Sequence, residues 1–280
     1  MRVDREITSL RALSIDIGLV NEASGSARFR MGRTVATSVV LGPSVPKYSR
    51  HEEYRSMTVE VVYNTSLGGG SGAGDSALGA GNELKRAERE GARFIRSGLL
   101  GAIDVTRCPR TLLVVKVTVD FDDGNAICTG FNAGVMALMN AGIRMNYIPL
   151  AVGVAYLRAE NLLAATVFSS SVEASQSSNS STTIQKTEDG RVTLLCVDPI
   201  KDEEDQALSK FHFVLRVSPS TIGADSTGSS SNDNSNSQKR TLVVHTRCKG
   251  TFSDERLQEA LKLAASSAVK ISTFMKSVEF

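Results

Sequence analysis

Side chains able to do chemistry are the first thing to locate in this chain. The densest acidic cluster is DPIKDEED at 198–205. It offers oxygen ligands for Mg²⁺, but a hard cation needs ligands fixed in convergence. A cluster that follows a Pro in a loop is better explained as a solvated turn. The three histidines are scattered: His51 lies in the charged stretch RHEEY, and His212 and His245 sit in apolar strands. Strand histidines of this kind are expected to be satisfied, half-buried side chains rather than catalytic ones. Cys108, Cys128, Cys196 and Cys248 are 20, 68 and 52 residues apart. No CxxC or Cys/His spacing suggests zinc, and no G-x-S-x-G elbow is present. Three of the cysteines fall in strand or helix stretches, which predicts buried free thiols and a reducing intracellular compartment.

The turn DDGNAIC at 122–128 poses a sharper question, because a small-residue helix, TGFNAGVMALMNAG, follows it. Free N–H groups at a helix start can bind phosphate. The same turn is equally the entry to a buried helix, and local sequence leaves both open. The Gly-rich stretch SLGGGSGAGDSALGAG at 66–81 resembles a phosphate loop only superficially. It lacks G-x-x-x-x-G-K-[ST] and reads as a mobile surface loop.

The elements that must position these groups follow from periodicity. From 15 to 41 the runs IDIGLV, EASGSARFRMGRT and VATSVVLG read as a strand meander broken by turn signals. MTVEVVYN at 57–64 alternates Met57, Val59, Val61 and Tyr63 on one face. Residues 82–105 have helical period, with Leu84, Ala92, Ile95, Leu99 and Ile103 on one side and Arg86, Arg89, Arg93 and Arg96 on another. Strands are predicted at 111–121, 150–157, 192–199, 211–217 and 241–248, and a helix at 126–141. The segment 253–278 predicts a helix capped by Ser253. Its apolar stripe is Leu257, Leu261, Ala264, Ala268, Ile271 and Met275.

Two polar segments, Ser-rich 158–190 and Ser/Asn-rich 219–240, interrupt strand-like runs. They are expected to be disordered hairpin insertions in a single domain spanning 1–280. The formal net charge is only +2, which excludes a polycation. Between 85 and 110, however, seven basic residues face three acidic ones. That local excess suits either a solvated helix face or contact with a polyanion. No run approaches membrane-spanning length.

Taken in order, these pieces resemble the RNase PH family. The resemblance is carried by RVDREITSLRALSIDIG, NEASGSARFRMGRTVATSVVLGP, the helix ending NAGVMALMNAGIRM, the strand AVGVAYL, the VDP turn and the terminal TFSDERLQEALKLA helix. It implies an α+β, RNase PH-like (ribosomal protein S5 domain 2-like) fold of mixed sheets packed with helices. Active members are phosphorolytic 3′→5′ exoribonucleases that bind phosphate with arginines and place acidic residues near the attacked linkage. Where they have Arg-Arg-Glu, this chain has Arg86-Ala87-Glu88, and where they have Gly-Ser-Arg or Gly-Thr-Arg it has Asn125-Ala126-Ile127. The paired carboxylates map to Asp198 and Glu204. With Ala87 and Ile127 at the arginine positions, no cation is expected beside the 122–128 turn. A helix dipole alone contributes only about 0.3–1 kcal/mol toward an anion.

Retention of fold with loss of the arginines resembles the inactive ring subunits of the eukaryotic exosome core. The resemblance implies no catalytic residue, no cofactor and no metal. It also implies a hetero-hexameric ring with related subunits, S1/KH cap proteins above it, RNA threaded toward an associated hydrolytic exoribonuclease, and residence in nucleus, nucleolus and cytoplasm. Arg86, Arg89 and Arg93 are the RNA-contact candidates. The alternatives are an active phosphate-dependent exoribonuclease and a self-contained homo-oligomeric RNA-binding protein.

Overall fold

Alternating apolar residues build two five-stranded sheets, and helices fill the space between and behind them. The computed structural model describes residues 7–48, 52–65, 77–158, 184–186, 192–217 and 241–278. The first sheet contains β1 (Leu13–Ile17), β2 (Gly25–Met31), β3 (Thr34–Ser44), β4 (Thr58–Thr65) and β5 (Leu112–Phe121), in the order β1-β2-β3-β5-β4. Inward positions such as Ala27, Phe29, Met31, Val59, Tyr63, Val115 and Val117 are buried. All its ladders are antiparallel except β4–β5. A parallel pair needs a crossover, and helix α1 (Ala77–Leu100) supplies it.

The second sheet is antiparallel throughout, in the order β10-β9-β6-β8-β7. Its strands are β6 (Pro149–Arg158), β7 (Ile184–Lys186), β8 (Val192–Val197), β9 (Ser209–Val217) and β10 (Thr241–Gly250). Helix α2 (Ala126–Asn140) lies between the sheets, touching β2, β3 and β5 on one side and β6 on the other. Eleven consecutive residues, Cys128–Leu138, are buried. A helix apolar all round is expected only where it is covered on every side. Buried Asn132 ties it to β6 by pairing both groups of its carboxamide with the Ala151 backbone, at 2.9 and 3.0 Å. The last helix, α4 (Asp254–Lys276), packs against the other face of the second sheet through Ala260, Ala264, Ala268, Ile271 and Met275. One hydrophobic cluster runs through both sheets and these helices.

Most predicted elements match, with four differences. Helix α1 begins at Ala77, inside the stretch expected to be a Gly-rich loop, and residues 66–76 lie outside the described residues. Ala and Leu extend a helix readily once the following turns nucleate it. The same helix stops at Leu100 rather than 105: Ala102 and Ile103 turn back to donate to the Leu99 carbonyl, and Ile103 bridges Met145 instead. Cys128 and Cys196 are buried, but Cys248 is exposed, because it sits on the outward face of the edge strand β10. The cluster 198–205 is not a solvated turn: Asp198 is fully buried, Glu203 nearly so, and Lys201–Gln206 forms a short helix, α3.

Of the two polar segments, Arg158 closes β6 and Ile184–Lys186 forms β7, while 159–183, 187–191 and 218–240 lie outside the described residues. No helix among the described residues is long and apolar enough to cross a membrane.

Candidate functional site

The 122–125 turn is held shut from behind. Arg11, just before β1, is buried to 8% side-chain exposure and spans four partners, Asp198, Thr34, Asp123 and Gly124. Its Nε and Nη2 donate to the two carboxylate oxygens of Asp198 at 2.7 and 2.6 Å, a bidentate pair. Its remaining donors reach the carbonyls of Asp123 at 2.9 Å and Gly124 at 3.0 Å. Asp198 also accepts from Asn125 Nδ2 at 2.9 Å. Both Asp198 (φ 50°) and Asn125 (φ 57°) occupy the left-handed region, which these two residue types tolerate best. Burial alone would raise the Asp198 pKa, but the hydrogen bonds and charge of Arg11, with help from Asn125, hold it below the usual carboxylate range.

Two glycines permit this closure. Gly124 has φ +90°, and a Cβ there would lie 2.5 Å from the Pro199 carbonyl. A Cβ on Gly153 of β6 would overlap the Asn125 carboxamide.

The helix start itself carries a built-in anion. Glu204 of α3 accepts the Asn125 backbone N–H at 3.0 Å, occupying the position a phosphate would take. Burial raises the Glu204 pKa, opposed by this hydrogen bond and by Lys210. Lys201 pairs with Asp122 at 2.8 Å beside it. Cations therefore do stand near the turn, contrary to the expectation of none. They face its carbonyls and carboxylates, not its helix-start N–H groups.

In front of the turn lies a cleft of ≈ 370 Å³, walled by α1, the start of α2, α3 and the β9–β10 ladder. Ala87, Ile127 and Glu204 all line it, so three of the four positions that the resemblance singled out do converge. Asp198 is instead buried behind Asn125 as the partner of Arg11. None of the three α1 arginines expected to contact RNA, Arg86, Arg89 and Arg93, lines the cleft. Arg86 is 82% exposed and pairs with Glu90 at 3.1 Å, Arg89 is exposed, and Arg93 borders a separate shallow pocket with His245 and Arg247.

The basic groups of the cleft come from elsewhere: Lys210 on β9, and Arg247 and Lys249 on β10, with His212 between them. Burial, then Arg247 and Lys210, push the His212 pKa down to about 3, so the ring is neutral. His245 is also lowered by burial; His212 departs from the satisfied, half-buried histidine expected, being buried with its Nδ1 unpartnered. No group of three or more metal-ligating side chains converges among the described residues.

Sequence reasoning missed Arg11 and the β9–β10 cations. Their signal was present as polar residues two apart, Lys210/His212 and Arg247/Lys249, which must share a strand face. For Arg11 the only hint was a lone cation entering an apolar strand.

One mixed and one antiparallel sheet enclosing an apolar helix, with an α3 acid at that helix's start, form an RNase PH-like α+β fold. Residues 9–144 match the model of the 3′ exoribonuclease family, domain 1. Among relatives, it is 24% identical to the rice "Exosome complex exonuclease RRP46 homolog" over 98% of this chain and 92% of that one. It is 28% identical to the fission yeast "Exosome complex component rrp46" over 49% of this chain and 54% of the relative. The crystal structure of rice Rrp46 superposes with a TM-score of 0.66 at 22% identity, covering 98% of this chain and 97% of that chain. An archaeal exosome core chain gives 0.61 at 15% identity, covering 98% and 90%.

Proposed function

We propose that this chain is a non-catalytic RNase PH-like subunit of an exosome core ring, supporting 3′→5′ RNA processing and decay by assembly and RNA threading. The observation that carries the loss of catalysis is the state of the α2 start. Ala87 and Ile127 stand in the cleft, and the Glu204 carboxylate already takes the Asn125 N–H. A phosphate cosubstrate entering there would meet a carboxylate, Ala87 and Ile127 offer it no guanidinium fork for in-line attack, and the cleft's guanidinium, Arg247, is tied to Glu90. The similarity to exosome components of rice and fission yeast supports the ring. Its partners in this reading are other RNase PH-like subunits, S1/KH cap proteins, RNA and an associated hydrolytic exoribonuclease, located in nucleus, nucleolus and cytoplasm.

The test is incubation of the purified chain, then of the reconstituted ring, with RNA in the presence and absence of inorganic phosphate. The expected result is no phosphate-dependent nucleoside diphosphate from the chain alone, and none from the ring that depends on Glu204. Release that disappears in Glu204→Gln would overturn the reading in favour of an active phosphorolytic exonuclease. A stable homo-hexamer of the chain alone in sedimentation analysis would replace the hetero-oligomeric ring.

A further inference from the structure

Helix α1 turns a charged face to solvent. Its other side packs on β4, α2 and β10 and buries Phe94, Ile95 and Leu99. From residue 84 onward, every exposed charged residue on it is basic: Lys85, Arg86, Arg89, Arg93 and Arg96. At 3.6 residues per turn these five fall within about 100° of one another around the axis. Leu84 and Ala87, which line the cleft, fall outside that arc. The stripe is therefore a surface separate from the cleft.

Such a stripe works against the helix that carries it. Like charges at i,i+3 and i,i+4 repel, and Lys85–Arg89, Arg86–Arg89, Arg89–Arg93 and Arg93–Arg96 are all spaced that way. The two acids beside it are already engaged. Glu88 accepts the Thr65 N–H at 3.2 Å, and Glu90 holds Arg86 at 3.1 Å and Arg247 at 2.6 Å. Arg96 donates to the Val59 carbonyl at 3.0 Å. Arg89 and Arg93 make no hydrogen bond or ion pair among the described residues.

The surroundings narrow the kind of partner. Exposed Leu100 continues the stripe at its C-terminal end. Arg93 stands at the edge of a shallow pocket of ≈ 280 Å³ walled by Phe94, Ser97 and His245. Phe94 is only 2% exposed, so the stripe has no aromatic platform for the base stacking that single-stranded nucleic acid uses. Guanidinium forks match carboxylates without one. Four residues of helix rise about 6 Å, which is equally the spacing of carboxylates at i,i+4 on a second helix laid alongside.

We propose that the outward face of α1 docks an acidic helix of a partner protein. Arg89 and Arg93 grip carboxylates one turn apart, and the pocket beside Arg93 takes an adjacent apolar side chain. Docking here does not depend on the ring reading.

The probe is a labelled helical peptide carrying Glu at every fourth residue with Leu beside it. It is titrated by anisotropy against the full-length chain, in parallel with a scrambled peptide of the same composition and with labelled single-stranded RNA. The variants are Arg89→Ala/Arg93→Ala and Arg89→Glu/Arg93→Glu. Lys116→Ala, exposed on β5, is the control, and circular dichroism verifies folding. The patterned peptide is expected to bind more tightly than the scrambled one. The double alanine variant should weaken it about tenfold or more, for two lost charge-assisted contacts, and the glutamate variant should abolish it. RNA affinity should change less than about twofold, the contacts being absent from its path. Equal binding of patterned and scrambled peptides would overturn the proposal, leaving only a solvated basic face. RNA affinity that falls in the variants while peptide binding does not would overturn it in favour of a nucleic-acid surface.

Discussion

Arg11 shows how much one side chain can organise. Five of its donor contacts close on Asp198, Asp123, Gly124 and Thr34, all at or below 3.2 Å. Removing it leaves a buried carboxylate uncompensated, which costs about 3–5 kcal/mol. Arg11→Ala is therefore expected to lower the urea midpoint sharply, while Arg30→Ala, whose Asp16 pair is 44% exposed on both sides, should cost at most about 1 kcal/mol of stability and barely move the midpoint. The pair also sets a pH dependence. Because the folded Asp198 pKa lies below its unfolded value, the stabilisation is complete above the ordinary carboxylate range. It is lost as pH falls through the depressed value. Glu204 acts oppositely: its raised pKa makes stability decline as pH rises from the ordinary glutamate value to the raised one. Denaturation midpoints across mildly acidic pH should show Asp198→Asn losing the acid-side fall and Glu204→Gln losing the decline just above it. The carboxylates of 198–205 were legible as a cluster, but not their burial. Burial depended on Arg11, 187 residues away along the chain, and on positive-φ geometry that residue types only permit.

At the scale of elements, the periodic signals translated directly. The α4 stripe, the β4 alternation and the apolar α2 all stand where spacing placed them. What spacing could not reveal is which two surfaces cover α2, because an all-round apolar helix records burial without direction. It also could not show that β6 must approach the α2 start closely enough to exclude a side chain. Gly153→Ala is expected to push the Asn125 carboxamide off Asp198, with overpacking of about 1–3 kcal/mol. A second-site Asn125→Gly should recover part of that loss, since it removes the clashing group and accepts φ 57° without strain. Thermal melts of the single and double variants measure both effects. The candidate site was half visible for the same reason: Ala87, Ile127 and Glu204 converge as the family pattern implies, whereas the basic wall became apparent only once the β9–β10 register was known.

For the whole molecule, the two sheets share one helix and one continuous core, so the cleft is formed between halves that neither sheet owns. Its electrostatics follow from that seam: the apolar wall comes from α1 and α2, and the cationic wall from the second sheet. The strand order adds a further consequence. β6, from the first part of the chain, lies in the middle of a sheet otherwise built from the last part, between β8 and β9. A protease nick anywhere between Arg158 and Ile184 would thus sever the polymer without separating its pieces. The amino-terminal fragment would remain threaded through its partner like a tongue in a groove, two bands on a denaturing gel but a single peak under native elution.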